Sequence, residues 1–314
     1  MSDETTVAIA CQGGGSHTAV TAGVLRETLL ELPERYEITA LSGTSGGAIC
    51  AAIAWDGLRR DDPGDARDRL AGFWDELAAD TGPELLANDA ALWGRRLTGG
   101  YLNVRTNPNF DPVAAAVRRD LRRTIERYVT FDSDAPASPP HLFVGAVAVE
   151  SGTFEVFEDG EDGVASLMAS TAVPTLFRSV EVGDETYWDG LFSQNPPIRQ
   201  FTTEVPPEEK PDEIWIVRIS PVERDDPLRT LADIRDRRQE LTANISLQQE
   251  IHTIEAVNDL IQNEVIDDED YKIIEVSEVS VGADLDLYSK RDLDPDFLAR
   301  LRRRGRRRAS EFWT

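Results

Sequence analysis

The chain has 314 residues, 40% of them hydrophobic, enough for one large α/β domain with a sizeable core. Its 58 acidic residues outnumber 33 basic ones, giving a formal net charge of −25, and lysine occurs only at Lys210, Lys272 and Lys290. A surface this acidic repels nucleic-acid phosphate at long range, which argues against a nucleic-acid partner. The acid-rich, lysine-poor balance resembles that of proteins from salt-loving organisms, where a Debye length of roughly 3 Å at 1 M salt screens self-repulsion.

The N-terminus, MSDETTVAIACQGGG, carries acids where a secretory signal requires bases. No stretch approaches the ~18 apolar residues of a membrane span, so the expectation is a cytoplasmic, non-transmembrane protein. Thr6–Cys11 reads as a buried strand, and a glycine run leads into a helix bearing Ala19, Val20, Val24, Leu25, Leu29 and Leu32. Ile38–Leu41 is a second strand, and Gly43–Gly47 turns sharply into a small-residue helix, Ala48–Trp55. This repeated strand, glycine turn and helix is the alternation of a parallel α/β sheet. Cys11 and Cys50 lie in apolar runs without metal-site spacing and read as buried free thiols; neither metal nor cofactor is expected.

Residues 56–68 read as a polar loop. Helices are predicted at Leu70–Leu77, Glu84–Trp93 and Pro112–Tyr128, around a Gly/Asn-rich turn at Gly99–Asn109. His141–Val149 and Thr153–Phe157 read as a hairpin, Val164–Thr171 as a short helix, and Val180–Trp188 as strands about a Gly-Asp turn. Ile214–Ile219 is a further strand. Residues 1–222 are expected to form the core, with 223–314 a helical extension packed on it in the same domain. The extension comprises one long amphipathic helix from Leu231 to Ile261, a late strand at Tyr271–Val276 and a terminal helix at Phe297–Trp313.

Gly43-Thr44-Ser45-Gly46-Gly47 fits G-x-S-x-G between strand and helix. A serine on such a turn projects its hydroxyl into a cleft, and the helix N-terminus favours negative charge beside it. Gly13-Gly14-Gly15 has two ligand readings. A dinucleotide cradle needs a glycine at Thr18, and a phosphate loop needs a lysine that is missing. An oxyanion hole, with backbone N–H groups aimed at a tetrahedral intermediate, fits the serine turn on the adjacent unit. Asp189, at the end of a strand and before Gly190, is placed to face a cleft, although turn aspartates commonly precede glycine.

Together these motifs resemble the patatin-like acyl hydrolases: GGG after strand one, GTSGG after strand two, Ala169-Ser-Thr-Ala-Val-Pro-Thr-Leu-Phe, then Asp189-Gly with Asn195-Pro behind it. The resemblance runs from about Val7 to Arg199. It implies a three-layer α/β/α fold with a mostly parallel central sheet and a Ser-Asp dyad without catalytic histidine. Ser45 is then nucleophile and Asp189 general base. Gly13, Gly14 and Gly15 form the oxyanion hole, with Gly46 N–H assisting. Two departures stand out. His17 and Thr18 replace the usual basic residue and glycine after the glycine run, leaving oxyanion support to the backbone or to His17. Leu191 replaces a small residue after the Asp-Gly pair. Phe177, Trp188 and Phe192 are candidates for an apolar wall that raises the Asp189 pKa. A Ser-His-Asp triad using His252 and a non-catalytic lipid- or granule-binding protein on the same fold are the competing readings.

Arg300, Arg302, Arg303, Arg304, Arg306, Arg307 and Arg308 form one basic tract beside Phe297, Leu301 and Phe312. It reads either as an interfacial helix for a lipid or granule surface or as an intramolecular clamp on the acidic body. The family also contains hydrolases of stored polyhydroxyalkanoate. If the composition marks a salt-loving archaeon, whose ether-linked membrane lipids offer no carbonyl, that intracellular polyester ranks beside phospholipid as a substrate.

Overall fold

The computed structural model describes residues 4–79, 111–131, 138–174, 176–224, 227–266, 271–280, 285 and 288–313. Strand β1 (Thr5–Cys11) feeds two cores by alternation: Val7, Ile9 and Cys11 enter one, and Ala8 and Ala10 the other. A strand buried on both faces is apolar throughout, as parallel sheets require. The other strands are β2 (Tyr36–Gly43), β3 (His141–Ala148), β4 (Phe154–Glu158), β5 (Val180–Val182), β6 (Glu185–Asp189), β7 (Glu213–Arg218) and β8 (Glu275–Ser280). They form one sheet in the order β5-β6-β3-β2-β1-β7-β8, with β4 also on β3. The pairs β3–β2, β2–β1, β1–β7 and β7–β8 are parallel, whereas β4 and β6 run antiparallel to β3.

Helices α1 (Ala19–Glu31), α2 (Gly46–Arg59), α3 (Pro63–Leu77), α4 (Pro112–Tyr128) and α5 (Val164–Ser170) put apolar residues into the first core. Helices α6 (Gln200–Thr203) and α7 (Leu231–Gln262) cover the opposite face with Phe201, Leu247, Ile251 and Ile254. The terminal helix α8 (Pro295–Phe312) returns to the first face. The result is the expected α/β/α sandwich with a mostly parallel sheet. Among the described residues no helix is long and apolar enough to cross a membrane.

The predicted loop at 56–68 is mostly helical. α2 runs to Arg59, and α3 begins at Pro63 with Asp62 accepting the Asp65 N–H at 2.9 Å. Asp-Pro here is an N-cap followed by proline at the first helical position, not a chain breaker. Buried Asp56 ties the corner together, holding Arg60 at 3.0 Å, Arg69, and the Thr130 N–H at 3.1 Å. The late strand starts at Glu275 rather than Tyr271, because Asn258 of α7 captures the Ile274 N–H at 3.0 Å and its carbonyl at 2.8 Å. The predicted helix at Glu84–Trp93 and the turn at Gly99–Asn109 lie outside the described residues.

The apolar stripe on which the interfacial reading of the terminal helix drew is turned inward. Leu298, Leu301 and Ala309 are buried in the first core, and Phe312 and Trp313 pack on Trp215 with centroids at 5.2 and 5.7 Å. No apolar face is left to enter a lipid surface. Arg302 clamps inward instead, donating to the Ala71 carbonyl at 2.9 Å and to Asp75. Arg300, Arg303, Arg306 and Arg307 remain exposed.

Two glycines allow the close crossing of α1 and α8. A Cβ on Gly23 would stand 2.1 Å from the Arg302 carbonyl oxygen, and one on Gly305 would stand 2.0 Å from that of Val20. Gly305→Ala should therefore destabilise the fold by about 1–3 kcal/mol through overpacking. That outweighs the ~1 kcal/mol that alanine gains in helix propensity. Denaturant titration checks the sign: a stabilised variant would mean that the crossing relaxes freely.

Candidate active site

Ser45 stands between β2 and α2 with φ 56° and ψ −130°. A left-handed φ costs a serine of order 1–3 kcal/mol and persists only where the surroundings over-determine it. Those surroundings are specific. The Ser45 N–H donates to Ser170 Oγ at 2.8 Å, and Ser170 in turn donates to the Gly145 carbonyl at 2.7 Å. Thr44 Oγ1 donates to the Gln194 carbonyl at 2.7 Å, and its N–H reaches the Cys11 carbonyl at 3.3 Å. A Cβ on Gly47 would approach the Cys11 carbonyl oxygen to 2.3 Å, so this glycine provides close packing while Ser45 carries the strain.

The glycine loop lies against this turn. An ideal Cβ on Gly13 falls 3.1 Å from Ser45 Cβ, and one on Gly46 falls 3.3 Å from the Gly15 carbonyl oxygen. Gly13 is buried, and its N–H donates to Asn195 Oδ1 at 2.7 Å. Its amide is therefore occupied by a side chain and is not offered to a ligand in this structure. Gly14 and Gly46 are half-buried and Gly15 is exposed. Gly14 and Gly15 precede the first 3-10 hydrogen bond of the turn Gly15–Thr18, and Gly46 opens α2, where the first N–H groups have no intrahelical acceptor. Thr18 Oγ1 closes the loop onto the Gly15 carbonyl at 2.6 Å.

Asp189 ends β6 with its side chain buried. Its N–H donates to the Ala172 carbonyl at 3.1 Å, and its Oδ1 accepts the Leu191 N–H at 2.9 Å. Burial pushes its carboxyl up to about 7, against the opposing hydrogen bonds from the Leu191 N–H and the Ser45 side chain. Two members of the expected aromatic wall do not enclose the carboxyl. Phe192 is 52% exposed, and Trp188, next to Asp189 on the strand, points to the other face. Backbone packs closely around the end of the strand: β6 pairs Asp189 with Ala146, and a Cβ on Gly190 would meet the Gly145 carbonyl oxygen at 2.4 Å.

The family model described as Patatin-like phospholipase matches residues 9–202, well over half of the chain. The chain belongs to the patatin-like phospholipase family. Among solved structures it is similar to VipD from Legionella pneumophila, with 14% identity and a TM-score of 0.46, covering 98% of this chain and 66% of that one. No curated protein gives a significant match.

In this patatin-like chain His17 is a structural residue. It is buried, its Nε2 lies 2.8 Å from Ser289 Oγ, and its ring stands edge-on to Phe297 at 6.3 Å. Burial, reinforced by nearby Lys290, lowers its pKa to about 3. His17 is thus a buried packing residue whose surroundings disfavour the cationic form and so oppose cationic support of an oxyanion from that position. His252 is exposed on α7, and His141 is held in an ion-pair cluster by Asp159 and Glu209, each at 2.8 Å. Cys11 and Cys50 are buried free thiols, with burial pushing Cys50 up to about 12.

Residue motifs alone did not reveal the supports of the turn. Ser170 and Asn195 stood within the sequence that carried the resemblance, but their partners lie 125 and 182 residues away. Gln12 is a third: its Oε1 accepts the Ile219 and Ser220 N–H groups at 2.8 and 2.7 Å, and its Nε2 donates to Asn244 at 3.0 Å. Ser170→Ala should lower kcat at least about tenfold with KM unchanged, because it leaves the buried Ser45 amide unpaired and frees the turn. Steady-state kinetics well below the unfolding temperature check this; unchanged kcat would remove Ser170 from the positioning role.

Proposed function

We propose that the chain is a lipid acyl-ester hydrolase in which Ser45 is the nucleophile and Asp189 the general base. The observation that carries this reading is the strained Ser45 turn together with the buried Asp189 carboxyl, which burial pushes up to about 7 against opposing contributions that include the Ser45 side chain. A base with a pKa near the working pH combines an ionised population with useful basicity. As Ser45 Oγ attacks the ester carbonyl, its proton passes to Asp189. The tetrahedral oxyanion is received by the N–H groups of Gly14, Gly15 and Gly46, with Gly13 anchored behind them by Asn195. The carbon–oxygen bond to the alcohol breaks, and Asp189 returns the proton to the leaving oxygen. Water then attacks the acyl-enzyme, delivering its proton to Asp189, and the acid leaves as the proton returns to Ser45.

Among ester substrates, phospholipid is favoured. Stored polyester offers the same carbonyl chemistry, but its structural support was an anchoring terminal helix, and the apolar face of that helix is buried. Purified protein incubated with ester phospholipid vesicles and, separately, with polyhydroxyalkanoate granules tests the choice, in high and low salt because of the acidic composition. Fatty acid release from vesicles, absent in Ser45→Ala, is expected. Hydroxyacid from granules with nothing from vesicles would overturn the lipid assignment, and no hydrolysis of any ester would favour a non-catalytic binding protein.

A further inference from the structure

Away from the serine turn, Arg118, Arg119 and Arg122 of α4 converge with Arg178 on a cavity of about 310 Å³. That volume falls at the lower end of small-molecule sites, which span roughly 300–1,000 Å³. The floor is apolar, built on buried Met168 and Val180. Arg118 Nη1 donates to the Arg178 carbonyl, which fixes the two segments together. Of the four guanidinium groups only Arg122 has a carboxylate partner among the described residues, Glu126 at 2.9 Å; neighbouring Asp120 pairs with Arg123 at 3.5 Å. Burial, Arg122 and Arg178 together hold the Arg118 guanidinium below its ordinary value. In a chain of net charge −25, a cavity lined by four guanidinium groups with one carboxylate pair among the described residues is the exception.

We propose that this cavity binds the phosphate of a phosphorylated amphiphile. Guanidinium forks match phosphate oxygens in two-point contacts, and an apolar floor between them suits the adjoining chain rather than water. The cavity also shares elements with the catalytic turn: Met168 lies on α5, whose Ser170 holds the Ser45 amide, and Val180 pairs with Tyr187 on the strand that ends in Asp189. The proposal deepens the lipid reading, but its test does not depend on turnover.

Calorimetric titration of the full-length Ser45→Ala protein at low ionic strength uses dodecyl phosphate, inorganic phosphate, dodecanoate and dodecyl maltoside as probes. Saturable one-to-one binding of dodecyl phosphate is expected, tighter than any other probe. The Arg119→Gln/Arg178→Gln variant should weaken it on the order of tenfold or more, since each loses a charge-assisted contact. Both side chains are exposed, so the variant should fold, and the matching double lysine variant, which keeps charge but not the fork, should recover part of the affinity. Equal affinity for inorganic phosphate would make this a free-phosphate site and overturn the amphiphile assignment. Equal affinity for dodecanoate would overturn the choice of phosphate. No binding, or binding unaffected in the glutamine variant, would overturn the site itself. Binding by the Ser45→Ala variant without ester hydrolysis by the wild-type protein would leave the site standing and remove the enzyme reading; wild-type hydrolysis without binding would do the reverse.

Discussion

Ser45→Ala lowers ester turnover by roughly four to six orders of magnitude while the fold survives, if the serine forms the acyl-enzyme. Residual activity would come from binding and the backbone donors alone. His252→Ala, on the exposed face of α7, should leave kcat and KM unchanged. Equal damage from the two substitutions, at unchanged stability, would point to a histidine-based triad. The strain at Ser45 adds a stability readout. Ser45→Gly should be as inactive as the alanine variant yet more stable than wild type by about 1 kcal/mol, because glycine adopts a φ of 56° without a Cβ penalty. A destabilised glycine variant would mean that the hydroxyl contributes more to the fold than the strained backbone costs.

Asp189→Asn should cost a comparable share of turnover, and its effect on stability should depend on pH. Burial raises this carboxyl from an ordinary value of 3.8 to about 7, so the folded state holds a proton that the unfolded chain has released. The stabilising contribution of that proton is complete below about 4 and lost as pH rises through about 7. Above 7 the ionised, buried carboxylate destabilises the fold, and Asp189→Asn relieves it. The variant should match wild type near pH 4 and exceed it by at most about 4 kcal/mol above pH 8. The catalytic profile runs the opposite way: wild-type kcat/KM should climb through about pH 7 as the base ionises. Stability curves of variant and wild type that stay parallel across this range would show that Asp189 is not desolvated as its burial requires.

These two residues were visible in the sequence because each is marked by its immediate neighbours. Ser45 is flanked by glycines between a strand and a helix, and Asp189 ends a strand before Gly190. Pro112–Tyr128 was legible to the residue, since Asp111 caps it and Pro112 opens it. The same Asp-Pro signal at Asp62-Pro63 was hidden by the surrounding charge and the following glycine, which imitate a loop. The commitment of Gly13 to Asn195 was not legible, because it depends on a loop returning 182 residues later to the glycine turn. The terminal helix shows a related limit. Its apolar stripe was plain, but only the fold reveals that Gly23 and Gly305 let α1 bury it.

The central claim is that the Ser45 hydroxyl is the activated nucleophile and Asp189 its base. A fluorophosphonate probe, followed by peptide mapping of the labelled site, tests it most directly. The account predicts a single modified residue, Ser45, labelled faster as pH rises through about 7 and hardly at all in Asp189→Asn. Label on another serine, or undiminished labelling of Ser45 in Asp189→Asn, would contradict it.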